Sequence, residues 1–267
     1  MNIAFCISGH MRGYLRMKPN FDKFKQHISK FGTVDVFVST WDKQTSTGCW
    51  SENNNHQDLS KQTIPITMRD VEGNYNTTAI SVFDNDFYSS VDSPIKNNII
   101  TEYSLHNDRN EWSYNGTVHG MKQMFLVYQS MVLKKHAEFS KQIKYDLVFR
   151  IRPDYLFKLN YIQELPLDIN ENTLYCYANS SIDDQFYYGS SFTMDRVMSS
   201  FLRGVQVLPS WWGCNSAFDN LVRAYHPSIK FHVLTERPGV IPNDPIPVDV
   251  EFLDSIKDVQ FPANWSR

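Results

Sequence analysis

The opening of this chain constrains its fold more than any other stretch. Residues 2–8 hold an unbroken apolar run, Ile3-Ala4-Phe5-Cys6-Ile7, closed by Ser8-Gly9. Residues 14–31 then repeat apolar side chains at helical spacing (Leu15, Phe21, Phe24, Ile28, Phe31), and Gly32 stands where a helix C-cap belongs. A second apolar run, VDVFVS, follows at Val34–Ser39. A strand with no polar alternation is covered on both faces. Two such strands joined by a helix form a parallel pair with a crossover.

The same alternation returns further on. Residues 118–140 place Met121, Met124, Phe125, Tyr128, Met131, Val132 and Leu133 at helical spacing, with Lys134, Lys135 and His136 near the C-terminal end. Strands are expected at Tyr145–Ile151, Leu174–Ala178 and Lys230–Leu234, and Phe186–Tyr188 either continues the sheet or begins a site-facing segment. Helices are expected at Asp195–Val205 and 216–225, with a mildly helical tail at Val250–Ile256. Between about 43 and 115 the chain is rich in Asn, Ser, Thr and Asp, with short apolar pieces at Ile64–Met68, Ala79–Phe83 and Ile99–Tyr103. This reads as a loop-rich insertion, a third strand plus long loops, with acceptor-side or lid elements expected in it. The expectation is one α/β domain over 1–267 with a mostly parallel sheet flanked by helices.

Composition narrows the partners. The net charge of −3 leaves no basic excess to neutralise a nucleic-acid backbone. No apolar stretch suits a signal peptide or a membrane span, so a soluble cytoplasmic protein is expected. Cys6, Cys49, Cys176 and Cys214 form no C-x-x-C pair; Cys6 and Cys176 sit in strand-like runs and read as buried thiols. Aromatics reach 14%, which suits a ring-filled core and also a site that stacks on sugars or bases. The phosphate loop, the G-x-G-x-x-G turn, the G-x-S-x-G elbow and H-E-x-x-H are all missing.

The segment richest in chemistry is Tyr145–Asp154, where an apolar strand runs into Arg150-Ile151-Arg152-Pro153-Asp154. Strand ends in an open α/β sheet border the ligand crevice. Two guanidinium forks there suit a diphosphate, and Asp154 suits a divalent metal bridging the same phosphates. A plain Arg–Asp ion pair at a strand end is the other reading. After the first strand, Ser8 and Gly9 allow close approach of a ligand to the backbone, and Arg12 suits a phosphate or a base edge. Trp41-Asp42 closes the second strand at the same sheet edge, and Asp42 is either a helix or turn cap or a carboxylate facing the site. The block Asp183-Asp184-Gln185-Phe186-Tyr187-Tyr188-Gly189-Ser190-Ser191 reads from its residues as an Asx turn before a strand or as a site segment carrying two carboxylates. Tyr187 and Tyr188 are either sugar-stacking rings or core. Trp211-Trp212 form a platform or pack under a loop. Lys122 near a helix start faces phosphate or solvent.

On these residues the chain resembles GT-A glycosyltransferases. YDLVFRIRPDYLF is similar to the strand and acidic "DxD" turn of that fold. The helix followed by "YD" and "RPD", the "SGxxR"-like turn Ser8-Gly9-His10-Met11-Arg12 and the "DQF..GS" block resemble small transferases of polysaccharide gene clusters and large DNA viruses. If the chain is viral, host cytoplasm is its expected location. The resemblance implies a GT-A-like (Rossmann-like) domain that moves a hexosyl or pentosyl group from a UDP- or GDP-linked donor to a glycan hydroxyl. It implies donor contacts at Ser8, Gly9, Arg12, Trp41, Asp42, Lys122, Arg150, Arg152 and Asp154, and acceptor contacts at Tyr187, Tyr188, Trp211 and Trp212. Asp184 or Asp183 would be the base, with Asp219 as the alternative, and inversion is expected because a placed carboxylate suffices for direct displacement. Asp154 would hold Mn²⁺ or Mg²⁺. One departure stands out: Arg152 occupies the position of the first Asp of DxD. Either arginine neutralises the diphosphate instead, or Asp154 and a distant carboxylate hold the metal. A catalytically inert carbohydrate-binding protein on the same fold is the alternative function.

Overall fold

A computed structural model describes residues 1–11, 14–44, 64–84, 111–157, 162–163, 165–178, 182–200, 219 and 222–234; for 16, 44, 64, 111–122, 177–178 and 182–184 it describes the backbone alone. In chain order the elements are β1 (Asn2–Ser8), α1 (Tyr14–Ile28), β2 (Thr33–Trp41), β3 (Lys43–Gln44), β4 (Ile64–Pro65), α2 (Met68–Tyr75), β5 (Ala79–Phe83) and α3 (Glu111–Lys141). Then come β6 (Leu147–Ile151), β7 (Thr173–Ala178), β8 (Ile182–Gly189), α4 (Ser191–Met198) and β9 (Lys230–Val233).

Seven strands form one sheet in the order β5-β2-β1-β6-β8-β7-β9, and β3 and β4 make a separate two-stranded piece. β1 pairs in parallel with β2 and β6, β2 with β5, and β7 with β9. β8 is antiparallel to both of its neighbours. The α/β class with a mostly parallel, helix-flanked sheet is therefore what the chain forms. From β1 the chain order runs outward through β2 and β5 on one side and restarts at β6 on the other. That reversal makes the β1/β6 boundary the topological switch point, where open α/β sheets carry their ligand crevice.

Alternation along each strand divides the core into two layers. Ile3, Phe5 and Ile7 of β1, with Leu147, Phe149 and Ile151 of β6, pack against Phe21, Phe24 and Ile28 of α1 and Val71 and Tyr75 of α2. Ala4, Cys6, Val148 and Tyr187 face the opposite way, onto Met124, Val127 and Met131 of α3 and Met194 and Val197 of α4. Met124 and Met131 of the α3 stripe are thus core. The free thiols Cys6 and Cys176 are both buried, as expected.

Three boundaries differ from those expected. The long helix begins at Glu111 rather than near 118, because the Asn- and Gly-containing lead does not break it. The next helix is Ser191–Met198, not Asp195–Val205. Ser190 caps it, its hydroxyl accepting from the Thr193 N–H, so the Ser-Ser-Phe-Thr lead is the cap and first turn. The stretch at 43–115 supplies more than loops. It contains α2, entered through a capping box of Thr67 and Asp70, and β5, an edge strand of the main sheet. Ile99–Tyr103 and the expected helical tail lie outside the described residues.

Candidate functional site

Four parallel strands, β5, β2, β1 and β6, end at the same sheet edge, and the chemistry-bearing residues gather there. Ser8, the last residue of β1, is fully buried. Gly9 follows with φ +134°, a backbone conformation that L side chains rarely adopt. Its N–H donates to Ser39 O at 3.3 Å, and its carbonyl accepts from the Thr40 hydroxyl at 2.8 Å. A Cβ added at Gly9 would stand 3.3 Å from Pro153 Cδ and 3.4 Å from Arg152 Cγ. The Ser-Gly turn and the Arg-Pro-Asp turn therefore touch, and glycine is what lets them.

The second turn is explained by its own sequence. Arg152 O accepts from the Tyr155 N–H at 3.0 Å, with Pro153 and Asp154 at the two central positions. Proline pre-sets the first of these. The turn brings Arg152 and Asp154 face to face: Nε lies 2.5 Å from Oδ1 and Nη2 3.0 Å from Oδ2, a two-pronged pair. The Arg152 N–H donates to Gln185 O at 2.9 Å, which fixes the turn to β8. Behind it Arg150, 0% exposed, donates from Nη2 to Ser8 O at 3.3 Å and lies 5.9 Å from the Tyr187 ring centroid. The hydroxyls of Ser8 and Ser39 are buried across the β1/β2 register, and among the described residues neither has a hydrogen-bond partner.

The α2 segment borders this turn. Tyr75, with Ile7, Phe21, Ile151 and Phe157, lines a narrow recess beside Arg152 and Pro153. Burial drives the Tyr75 phenol above its ordinary value, and the nearby Asp154 carboxylate adds to the shift. Asn20 of α1 holds the chain after the turn: its amide donates to Phe157 O and accepts from the Phe157 N–H, both at 2.7 Å.

Not every residue expected at the site presents itself there. Tyr187 and Tyr188 are 1% and 0% exposed. Tyr188 stacks between Phe149 and Tyr175 and donates its hydroxyl to Pro166 O, while Tyr187 packs in the α3 layer. Sugar stacking is corrected to core packing for both, because β8 is an interior strand covered on its two faces. Trp41 is likewise buried at 1%, its ring parallel to Phe125 at 5.8 Å, so it is no open platform. Asp42 sits half-buried at the same edge as Ser8, and its main chain bridges Phe83 O and the Ile66 N–H. Asp219 is held by Arg223, 3.0 Å from each carboxylate oxygen. Arg223 lies over Phe231 of β9, with β7 and β8 between that strand and β6. The backbone of Asp183 and Asp184 opens β8, and the Phe186–Ile151 pairing puts it just past the end of β6, beside the Arg-Pro-Asp turn. The side chains of Asp183, Asp184 and Lys122, and all of Arg12, Trp211 and Trp212, lie outside the described residues.

Residue chemistry alone did not single out three contributors. Thr40 pins the Gly9 carbonyl, Gln185 anchors Arg152 through its main chain, and His10 lies 3.4 Å from Lys43 O beside Trp41. Thr40 had one available signal, a hydroxyl at the end of an apolar strand. The Gln185 contact depends on β8 being antiparallel, which no local pattern specifies.

The donor set fits a divalent metal poorly. Both oxygens of Asp154 lie in the Arg152 fork, and no group of three His, Cys, Asp or Glu that could hold a metal occurs among the described residues. No helix among the described residues is long and apolar enough to cross a membrane.

No protein-family model matches the chain, and no curated protein matches it. Among solved structures it is similar to the galactosyltransferase LgtC in complex with donor and acceptor sugar analogs. That match has 8% sequence identity and a TM-score of 0.38, and covers 86% of this chain and 73% of that one.

Proposed function

We propose that the chain is a single-domain glycosyltransferase that moves a hexosyl or pentosyl group from a UDP- or GDP-linked donor to a glycan hydroxyl. One observation carries this reading: the Ser8-Gly9 turn and the Arg152-Pro153-Asp154 turn are in contact at the switch point, with Arg150 behind them. The Arg152 guanidinium stands at the rim of the switch point, where a pyrophosphate needs neutralisation, and the wholly buried Arg150 adds positive charge from behind. The resemblance of the same segments to small GT-A transferases supplies the reaction class.

In this reading the donor diphosphate lies against the Arg152 rim, above the buried Ser8-Gly9 turn, and Asp42 takes the ribose side. Asp184 accepts the proton of the acceptor hydroxyl as its oxygen bonds to the sugar C1. The bond from C1 to the phosphate oxygen breaks with inversion, and the nucleoside diphosphate leaves with the electron pair. Asp183 is the second choice of base.

A panel of UDP- and GDP-sugars scored by released nucleoside diphosphate tests the reading. Asp184→Asn is expected to lower turnover by about a hundredfold or more, as loss of a general base does. Turnover close to the parent would remove Asp184 from the role. If no donor is hydrolysed and no nucleotide raises the melting temperature, the inert carbohydrate-binding alternative takes its place.

A further inference from the structure

We infer that the Arg152 guanidinium, aimed by Asp154, stands in for a divalent metal against the donor diphosphate, so that donor binding needs no metal ion. The inference rests on the glycosyltransferase reading and deepens it.

The geometry of the turn is the ground. Arg152 and Asp154 are the first and third residues of one tight turn, and their side chains close on each other through two hydrogen bonds of 2.5 and 3.0 Å. Magnesium binds carboxylate oxygens at about 2.0–2.1 Å and demands near-ideal octahedral geometry. At Asp154 it would have to share oxygens with a guanidinium already seated on both, placing two positive groups side by side. The carboxylate is 8% exposed at its side chain, so it has little room to swing toward a separate ion.

The guanidinium is built in rather than loose. Its residue is pinned to β8 through Gln185 O, its stem packs against Gly9, and its side chain keeps 21% exposure at the crevice rim. A cation fixed before the ligand arrives costs no reorganisation when charge develops on the leaving phosphate. Arg150, wholly buried one strand-residue pair back, adds a second positive charge behind the Ser8 turn. Asp154 is then a positioning residue, and Arg152 the group that touches the diphosphate.

The test measures binding of UDP and GDP to the full chain by calorimetry and melting temperature, once in EDTA and once with Mn²⁺ or Mg²⁺. The nucleotide that binds is expected to bind equally well in both. Arg152→Ala should weaken it in EDTA by about ten- to a hundredfold, the range for a lost hydrogen bond to a charged group. Arg152→Lys should fall between, since it keeps the charge and loses the fork. Asp154→Asn should keep metal-free binding and narrow the preference for UDP over UMP, or for GDP over GMP. Binding that appears only with metal overturns the inference and leaves the transferase reading standing. So does Arg152→Ala binding as tightly as the parent in EDTA, provided its melting temperature shows it folded. An unchanged diphosphate preference in Asp154→Asn overturns the positioning role. Absence of nucleotide binding in either buffer removes the transferase reading itself.

Discussion

Single residues at the crevice carry sharply different burdens. Gly9 holds φ +134° and abuts Pro153, so Gly9→Ala meets both backbone strain and contact with the neighbouring turn. It should lose about 1–3 kcal/mol of stability, read from the urea midpoint, together with nucleotide affinity. An unchanged midpoint would mean the two turns are not in contact in solution. Cys6 presents the opposite case. Burial raises its thiol to about 12, with Asp195 and Glu138 pushing the same way against Lys134. Native protein at pH 8 should therefore leave Cys6 unlabelled by a maleimide while urea-unfolded protein labels it, as peptide mapping would show. The turns at Ser8-Gly9 and Arg152-Pro153-Asp154 were legible in the sequence because Gly and Pro announce them. Tyr187, Tyr188 and Trp41 misled for a physical reason. Whether an aromatic at a strand end is open or covered depends on which elements lie above it, and that is decided by distant parts of the chain.

Elements are held by a few polar clamps in an otherwise apolar packing. Lys134 of α3, 0% exposed, lies 3.1 Å from Glu138, 2.8 Å from Asp195 of α4 and 2.5 Å from the Ser191 hydroxyl. Glu138 also accepts from the Tyr145 N–H ahead of β6 and from the Ser191 hydroxyl. Lys134→Met would take the buried cation from these carboxylates and leave only the exposed Lys144 beside Glu138 and Lys135 beside Asp195; it should cost up to about 3–5 kcal/mol, measured by urea unfolding. A loss below about 1 kcal/mol would show that the clamp does not join the helices. β1, α1, β2 and β5 were readable because apolar runs and helical spacing mark them directly, whereas α2 lay in a stretch whose composition reads as loop. The start of α4 was not, because Ser-Ser-Phe-Thr is equally a loop composition until Ser190 finds the Thr193 N–H. Phe186–Tyr188 was readable only as sheet or as a site-facing segment, and the antiparallel direction of β8 comes from pairing with β6 and β7.

At the scale of the whole molecule, two carboxylates tie stability to pH. Burial alone would raise Glu138, but Lys134 and hydrogen bonds from Ser191 and Tyr145 bring it below the ordinary value. Asp35 behaves alike: burial opposes, and Lys141, Tyr145 and Thr78 win, holding it low. Both groups therefore take up protons more readily in the unfolded chain. Their contribution is complete above the ordinary carboxylate range and is lost as the pH falls through their lowered folded values. The urea midpoint should drop between pH 5 and pH 3.5, and Glu138→Gln should flatten that drop; a midpoint that holds steady down to pH 3.5 counts against both clusters. The same contacts fix how α3 lies on the sheet. Lys141 meets Asp35 near the start of β2, and Phe125 meets Trp41 at its end. The helix nevertheless begins at Glu111, so about 20 Å of it, at 1.5 Å per residue, continues beyond the last rung of the strand. The backbone of α3 therefore overhangs the sheet edge where the strands end, and in the proposed transferase reading an acceptor would reach that edge from a flank the helix leaves open.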